Sequence, residues 1–200
     1  MNDKASDSDM PNDIPTLHTQ RLILRPFVLA DASRVQLLAG AWDVASWTAN
    51  IPHPYPDGAA EHWIAGHAQA FRGGDAMPLA VCLKDGTLIG AVGLTGFRTQ
   101  HAHAELGYWV GKDYWGKGYC TEAVREIVRF GFEQLGLNRV FGRHMARNLA
   151  SGRVMDKAGL KYEGRLRQHL FRWQKFEDLD FRGLLKSEWA NGRDVGTGAG

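Results

Sequence analysis

The stretch Glu105–Val124, ELGYWVGKDYWGKGYCTEAV, limits what this chain can fold into more than any other. A strand pattern reaches Val110, a glycine-rich turn passes through Gly116-Lys117-Gly118, and a helix pattern opens at Thr121. A strand feeding a helix through so short a turn must pack close to it. The same succession is the geometry that receives phosphate groups. Glycines let the backbone come near an anion, and the first N–H groups of a helix have no intrahelical partner. A tight turn that binds nothing is the plainer reading, and an isolated Gly-x-Gly favours it.

The rest of the chain alternates strand and helix patterns. Arg21–Phe27 (RLILRPF) predicts a first strand ended by Pro26, and Asp31 is placed to cap a short helix through Leu38. Residues 41–57 are irregular and aromatic, with Trp42, Trp47 and Tyr55, and Pro52, Pro54 and Pro56 bar regular helix. A second helix is expected over Ala59–Phe71, closed by Gly73 and Gly74. Pro78–Leu83 and Leu88–Leu94 flank Lys84-Asp85-Gly86, a strong hairpin signal, and a strand over His103–Val110 is placed to pair with it. From Thr121 to Leu135, Val124, Ile127, Val128, Gly131, Phe132 and Leu135 form one helical stripe facing a sheet, with Gly136 as a stop. Then come a strand (Arg139–Met145), a helix (Leu149–Ala158, ended by Gly159) and strands near Tyr162–Arg172 and Leu179–Leu185. The expected fold is α/β, with a central mixed sheet and helices on its faces. At 200 residues the chain has room for one such domain, placed at 16–189. Residues 1–15, rich in Asp, Asn and Ser, are expected to be disordered, and Asn191–Gly200 to be a frayed end.

Composition narrows the partners. A net charge of +2 is too balanced to point to nucleic acid, and no apolar run approaches the ~18–20 residues of a membrane span. The N-terminus lacks the basic start and apolar stretch of a signal peptide, so the cytoplasm is the default compartment. Cys82 and Cys120 sit in apolar segments without metal-ligand spacing and read as small buried residues. His101 and His103 have no third ligand nearby and read as solvated edge histidines, so no metal site is expected.

Gly111-Lys-Asp-Tyr-Trp-Gly116-Lys117 also satisfies the start of a nucleotide P-loop. Gly118 stands where its Mg²⁺-binding Ser or Thr belongs, no later apolar strand ends in Asp, and Tyr108 and Trp109 are bulky for such a core. That reading is disfavoured. Trp115-Gly-Lys-Gly-Tyr-Cys-Thr-Glu-Ala123 instead resembles the pyrophosphate-binding loop of the GNAT acetyltransferases, Gln/Arg-x-x-Gly-x-Gly/Ala. Gly118 stands at the first Gly. Trp115, at the Gln/Arg position, and Cys120, at the last small residue, depart from the strict pattern. The loop works through backbone N–H groups, so a small Cys120 and a Trp115 that contributes its own N–H are tolerable. Asn148-Leu-Ala-Ser151, followed by Lys157-Ala-Gly159-Leu-Lys-Tyr162, is similar to the family's Asn-x-x-Ser helix and its Lys-x-Gly-Phe ending, with Tyr162 read as core in place of Phe. QRLILRPF with Asp31-Ala32, the 53–64 stretch, and Leu184-Leu185 with Glu188-Trp189 resemble the RimJ/RimL-like branch, which includes enzymes acetylating N-termini of ribosomal proteins. The resemblance spans about 16–189.

It implies a mostly antiparallel mixed sheet with helices on both faces, and acetyl-CoA as co-substrate for direct transfer to an amine. The pyrophosphate would meet Trp115, Gly116, Lys117, Gly118, Tyr119, Cys120 and Thr121. Pantetheine would lie along Tyr108, Trp109 and Val110 where the strands at 105–110 and 139–145 splay, facing Asn148 and Ser151. Ser151 would protonate the thiolate; Asn148 also reads as an N-cap of its helix. A lysine-type amine near pKa 10.4 is well under 1% neutral at pH 7, and a peptide α-amine near 7.7–8.0 roughly a tenth neutral, so the amine needs a base or a water relay. Glu105 is the candidate base, with a purely structural role at the sheet edge as its alternative, and His103 is a weaker one. Lys117, Arg143, Arg147, Arg153 and Lys157 form a basic run able to meet CoA phosphates or simply face solvent. Trp42, Trp47, Tyr55 and Trp63 border the acceptor groove by resemblance, some of them as core. The acceptor, a peptide α-amine or a small molecule, stays open, as does a homodimer. The competing function is a non-catalytic acyl-CoA-binding module.

Overall fold

The computed structural model describes residues 13–97 and 100–194. Among these residues eight strands form one sheet in the order β1-β2-β3-β4-β5-β6-β8-β7. They are β1 (Leu17–His18), β2 (Leu22–Arg25), β3 (Ala76–Leu83), β4 (Leu88–Thr95), β5 (His103–Val110), β6 (Arg139–Met145), β7 (Lys161–Arg172) and β8 (Lys175–Leu185). Neighbours run antiparallel except β5 and β6, which are parallel. Short helices α1 (Ala32–Ala39), α2 (Trp42–Ala45), α3 (Ala59–Ala65) and α4 (His67–Gly73) lie between β2 and β3 in the chain. The longer α5 (Tyr119–Glu133) joins β5 to β6, α6 (Leu149–Lys157) joins β6 to β7, and α7 (Lys186–Asp194) follows β8.

Strand alternation sorts the core into two layers. Leu22, Leu24, Leu79, Val81, Leu94, Ala104 and Leu106 pack with Val124, Ile127, Val128 and Phe132 of α5. Ala80, Cys82 and Ala91 point the other way, against Val35 of α1 and Ala60 and Ile64 of α3. Helices therefore cover both faces, as expected. Burying each large apolar side chain of the α5 stripe contributes roughly 1.5–3 kcal/mol. Leu135, the last residue of that stripe, lies beyond the helix and is half-buried.

Some expectations need correcting. The helix expected over Ala59–Phe71 is two helices meeting at Gly66, which has no side chain to pack through the break. Asp31 does not cap α1 with its side chain; it takes both ends of the Arg25 guanidinium at 2.7 and 2.8 Å and the Val28 N–H at 2.9 Å. Tyr162 is 55% exposed, while Leu160, two residues earlier, is in the core. Most of edge strand β7 meets solvent. Ile14, expected in a disordered tail, packs against the core, and Asn191–Asp194 complete α7. The remainder of both tails lies outside the described residues. Among those described, no helix is long and apolar enough to cross a membrane.

His67 carries a stability prediction. It is 7% exposed, its ring meets Trp63 at 4.4 Å and Phe27 at 5.4 Å, and neither ring nitrogen has a hydrogen-bond partner. Burial pushes its pKa down from 6.5 to about 4. The unfolded chain thus takes up the proton first, so the stability of the neutral form is present above pH 6.5 and is lost as pH falls toward 4. The loss should reach about 2–3 kcal/mol by pH 4.5. His67→Phe should remove that part of the acid limb in urea melts from pH 7.5 to 4.5. Parallel losses in both proteins would place the titration elsewhere.

Candidate active site

The parallel pairing of β5 and β6 runs from His103 opposite Arg139 to Leu106 opposite Gly142 and stops. On their outer sides both strands stay paired to the end, Val110 opposite Gly90 and Met145 opposite Leu179. The seam between β5 and β6 therefore opens. It leaves the edge of β5 beyond Leu106 without a strand partner, facing the end of β6, with the Val110 carbonyl taken by the Trp115 indole.

At the end of β5 the chain makes a 3₁₀ turn over Lys112–Tyr114 and enters the glycine loop. Gly116 (φ 74°) and Gly118 (φ 80°) are both left-handed, a conformation that Cβ-bearing residues reach only with strain. Gly118 is the N-cap of α5, whose first bond runs from Glu122 N to Gly118 O at 3.1 Å. The N–H groups of Tyr119, Cys120 and Thr121 precede that bond and are the ones a helix start offers to an anion. Trp115 is a correction: its backbone N–H donates to Lys112 O at 3.0 Å and its indole N–H to Val110 O at 2.6 Å, so neither is free for a ligand. The Lys117 ammonium donates to Asp113 O at 2.9 Å. Burial pushes the Cys120 thiol up to about 12, which keeps it protonated and unreactive.

Across the seam, Asn148 caps α6, its Oδ1 accepting the Ser151 N–H at 3.1 Å. Ser151 Oγ lies 2.8 Å from the Tyr108 hydroxyl, and that hydroxyl donates to Ser151 O at 3.0 Å. Burial pushes the Tyr108 phenol well above its usual range, so both hydroxyls remain donors at neutral pH. Behind them Arg182 bonds Asp156 at 2.8 Å and meets His144 Nε2. A Cβ on Gly152 would stand 3.1 Å from Arg182 Nη2, so the glycine lets α6 lie close over this pair of side chains.

Glu105 occupies the opposite face of β5, three residues from Tyr108. Its Oε1 accepts Arg143 Nε at 2.7 Å, and both side chains are partly exposed. His103 is not a solvated edge histidine. It is half-buried, stacked on His101 at 5.8 Å and edge-on to Phe141 at 5.7 Å, with Nδ1 buried and unpartnered.

The family profile for the acetyltransferase (GNAT) domain matches residues 21–161. The chain belongs to the GNAT acetyltransferase family. It is therefore an acyltransferase. It is 31% identical over 179 residues to the Bacillus licheniformis protein named "Uncharacterized N-acetyltransferase p20", covering 88% of this chain and 98% of that one. It is 37% identical over 107 residues to "Putative ribosomal N-acetyltransferase YdaF" of Bacillus subtilis, an alignment spanning 54% of this chain and 58% of that relative. The fold matches that of Mycobacterium smegmatis RimJ in complex with CoA-disulfide, with a TM-score of 0.81 at 23% identity over 94% of this chain and 97% of the other.

In this acetyltransferase the segment 42–47 bridges the mouth of the seam. Asp43 pairs with Lys112, just past β5, at 2.9 Å, and Trp47 lies 4.2 Å from the guanidinium of Arg147, just past β6. Trp42 meets Trp173, at the tip of the β7–β8 hairpin, at 4.6 Å and His53 at 5.1 Å. Sequence reasoning named Trp42 and Trp47 and not Trp173, which arrives from a turn more than a hundred residues away. Trp63 instead packs on Phe27 at 4.9 Å, and Tyr55 packs into the core layer of α1 and α3. Of the basic run, Arg143 is held by Glu105 and Arg147 by Glu177 at 2.9 Å. Lys157 and Arg125 line an open trough of about 900 Å³ that starts at Gly118 and Thr121.

Proposed function

We propose that the chain moves the acetyl group of acetyl-CoA directly to a primary amine, either a peptide α-amine or a small-molecule amine. One observation carries this reading: Glu105 and the Tyr108–Ser151 pair sit on opposite faces of the one strand whose far end lines the open seam. An amide-bearing pantetheine fits the seam as an added strand, hydrogen-bonding the backbone groups of the β5 edge beyond Leu106 that Trp115 does not occupy. The glycine loop receives the pyrophosphate, and the trough beside Arg125 and Lys157 the nucleotide end. The amine arrives from the Glu105 face, beneath the Trp42–Trp173 rim. The ammonium first gives one proton through water to the Glu105 oxygen that Arg143 does not hold. The neutral nitrogen then bonds to the thioester carbonyl carbon, the C–S bond breaks, and the nitrogen sheds its second proton to water. On the other face Ser151, in contact with the Tyr108 phenol, passes a proton to the thiolate as it takes one back from water, which carries the second proton of the nitrogen. The products are the N-acetyl amine and CoA thiol.

The name of the Bacillus subtilis relative supports the peptide α-amine, the acceptor that needs the least help from a base. The Arg143–Glu105 ion pair favours a second reading of that carboxylate, as a structural group, with a held water taking the amine proton. A panel of peptides and small amines scored by CoA release tests the transfer itself. Release above the hydrolysis rate with at least one amine supports it; uniform background with tight CoA binding overturns it. Ser151→Ala should lower turnover more than acetyl-CoA affinity, since the hydroxyl acts as thiolate departs. Unchanged turnover and pH profile would assign that proton to water or Tyr108.

A further inference from the structure

Arg21, at the bend between β1 and β2, reaches across to a loop 96 residues away in sequence. Its Nη1 donates to Lys117 O at 3.0 Å and its Nε to Glu122 Oε2 at 2.6 Å. Its Cζ lies 4.8 Å from the centre of the Tyr119 ring, and its Nη2 is 3.3 Å from where a Cβ on Gly118 would stand. One guanidinium therefore touches every position from Lys117 to Tyr119 and the first turn of α5. The bend is itself fixed. Glu122 Oε1 accepts Thr19 Oγ1 at 2.6 Å and the Arg21 N–H at 2.8 Å, while Lys84 donates to Thr19 O at 2.7 Å and Leu22 O at 3.1 Å.

Two physical consequences follow. In a trans peptide the carbonyl and the next N–H point opposite ways, so holding Lys117 O against Arg21 sets the direction of the Gly118 N–H. Glu122 suits the positive end of the helix dipole, but a bare carboxylate there repels any anion bound at the same end. Burial opposes ionisation of Glu122, yet hydrogen bonds from Thr19, the Arg21 N–H and the Arg21 side chain outweigh it, so the group stays ionised at neutral pH. Arg21 is the cation that balances it, and its planar fork reaches the carbonyl and the carboxylate together, which a lysine cannot do.

We propose that Arg21 is a positioning residue for the diphosphate of the acyl donor, orienting the Lys117–Gly118 peptide and cancelling the Glu122 charge at the start of α5. The inference rests on the glycine loop being the diphosphate site. The test compares acetyl-CoA with S-acetylpantetheine, which carries the thioester but no diphosphate, on an amine found by the panel. Arg21→Gln should lower kcat/KM for acetyl-CoA at least tenfold, through KM, and leave that for S-acetylpantetheine within twofold. The double variant Arg21→Gln/Glu122→Gln should recover at least threefold of the loss, because the unbalanced carboxylate is gone. Equal losses with both donors in a folded Arg21→Gln protein, or no recovery in the double variant, would overturn the inference. If Arg21→Gln keeps a wild-type preference for acetyl-CoA that Gly118→Val abolishes, this inference fails and the loop reading stands. If the wild type itself shows no preference between the donors, the loop reading fails.

Discussion

Glu105→Gln should cut turnover on a confirmed acceptor by about 10²–10⁴-fold at neutral pH, the usual span for loss of a general base. The amide keeps the shape of the carboxylate and an oxygen able to accept from Arg143 Nε, so the ion-paired geometry at 2.7 Å changes little. What disappears is the oxygen that takes the proton. The defect should shrink as pH rises, because a growing share of amine then arrives neutral and needs no base. It should be smaller for a peptide α-amine than for a lysine-like amine, whose pKa lies more than two units higher. Affinity for acetyl-CoA should barely move, since the loop and the Asn148–Ser151 helix lie elsewhere. Arg143→Gln separates the roles further: freeing the carboxylate should leave a measurable rate if Glu105 is the base. A Glu105→Gln rate within threefold of wild type would make Glu105 structural and return the search to His103 or a held water.

Local periodicity made most of this fold readable. The strands at His103–Val110 and Arg139–Met145 match their expected limits because each is bounded by turn residues and alternates along its length. The α5 stripe was readable because Val124, Ile127, Val128, Gly131 and Phe132 sit at helical spacing and all are buried. The glycine loop, Asn148 and Ser151 could be placed because each lies within a short run of sequence. What stayed hidden is contact between distant segments. The Arg21–Glu122 pair spans 101 residues and nothing local marks either partner; Glu122 looks like any acidic residue in a first helical turn. The Tyr108–Ser151 bond spans 43 residues and joins two separately nominated side chains into one unit. Trp115 was misjudged because its N–H groups are satisfied by the carbonyls of Lys112 in its own turn and Val110 at the end of β5, a matter of dihedral angles rather than residue type. Tyr162 was misjudged because strand alternation tells which side chains share a face and not whether any helix covers that face.

Gly118→Val should weaken acetyl-CoA binding at least tenfold while the protein stays folded. At φ 80° a residue with a Cβ pays a left-handed penalty of roughly 1–2 kcal/mol, and a β-branched one pays more. Relief requires the backbone to leave that well, which turns the Gly118 and Tyr119 N–H groups from the directions the loop now gives them. The added Cβ also stands 3.3 Å from Arg21 Nη2, close enough to push on the guanidinium that holds Lys117 O. Among the described residues other than its chain neighbours, no other atom lies within 4 Å of that Cβ, so the core beneath α5 is untouched and unfolding is not expected. Gly118→Ala carries the dihedral penalty without the branch and should fall between wild type and Gly118→Val. Gly116→Ala is the matched control on the same loop: φ is 74°, a Cβ there meets nothing, and the residue lies outside α5. Calorimetric affinities for acetyl-CoA, read beside thermal melts, give the ordering. If folded Gly118→Val binds acetyl-CoA as tightly as wild type, the diphosphate does not lie on this loop, and the trough lined by Arg125 and Lys157 is the next place to look.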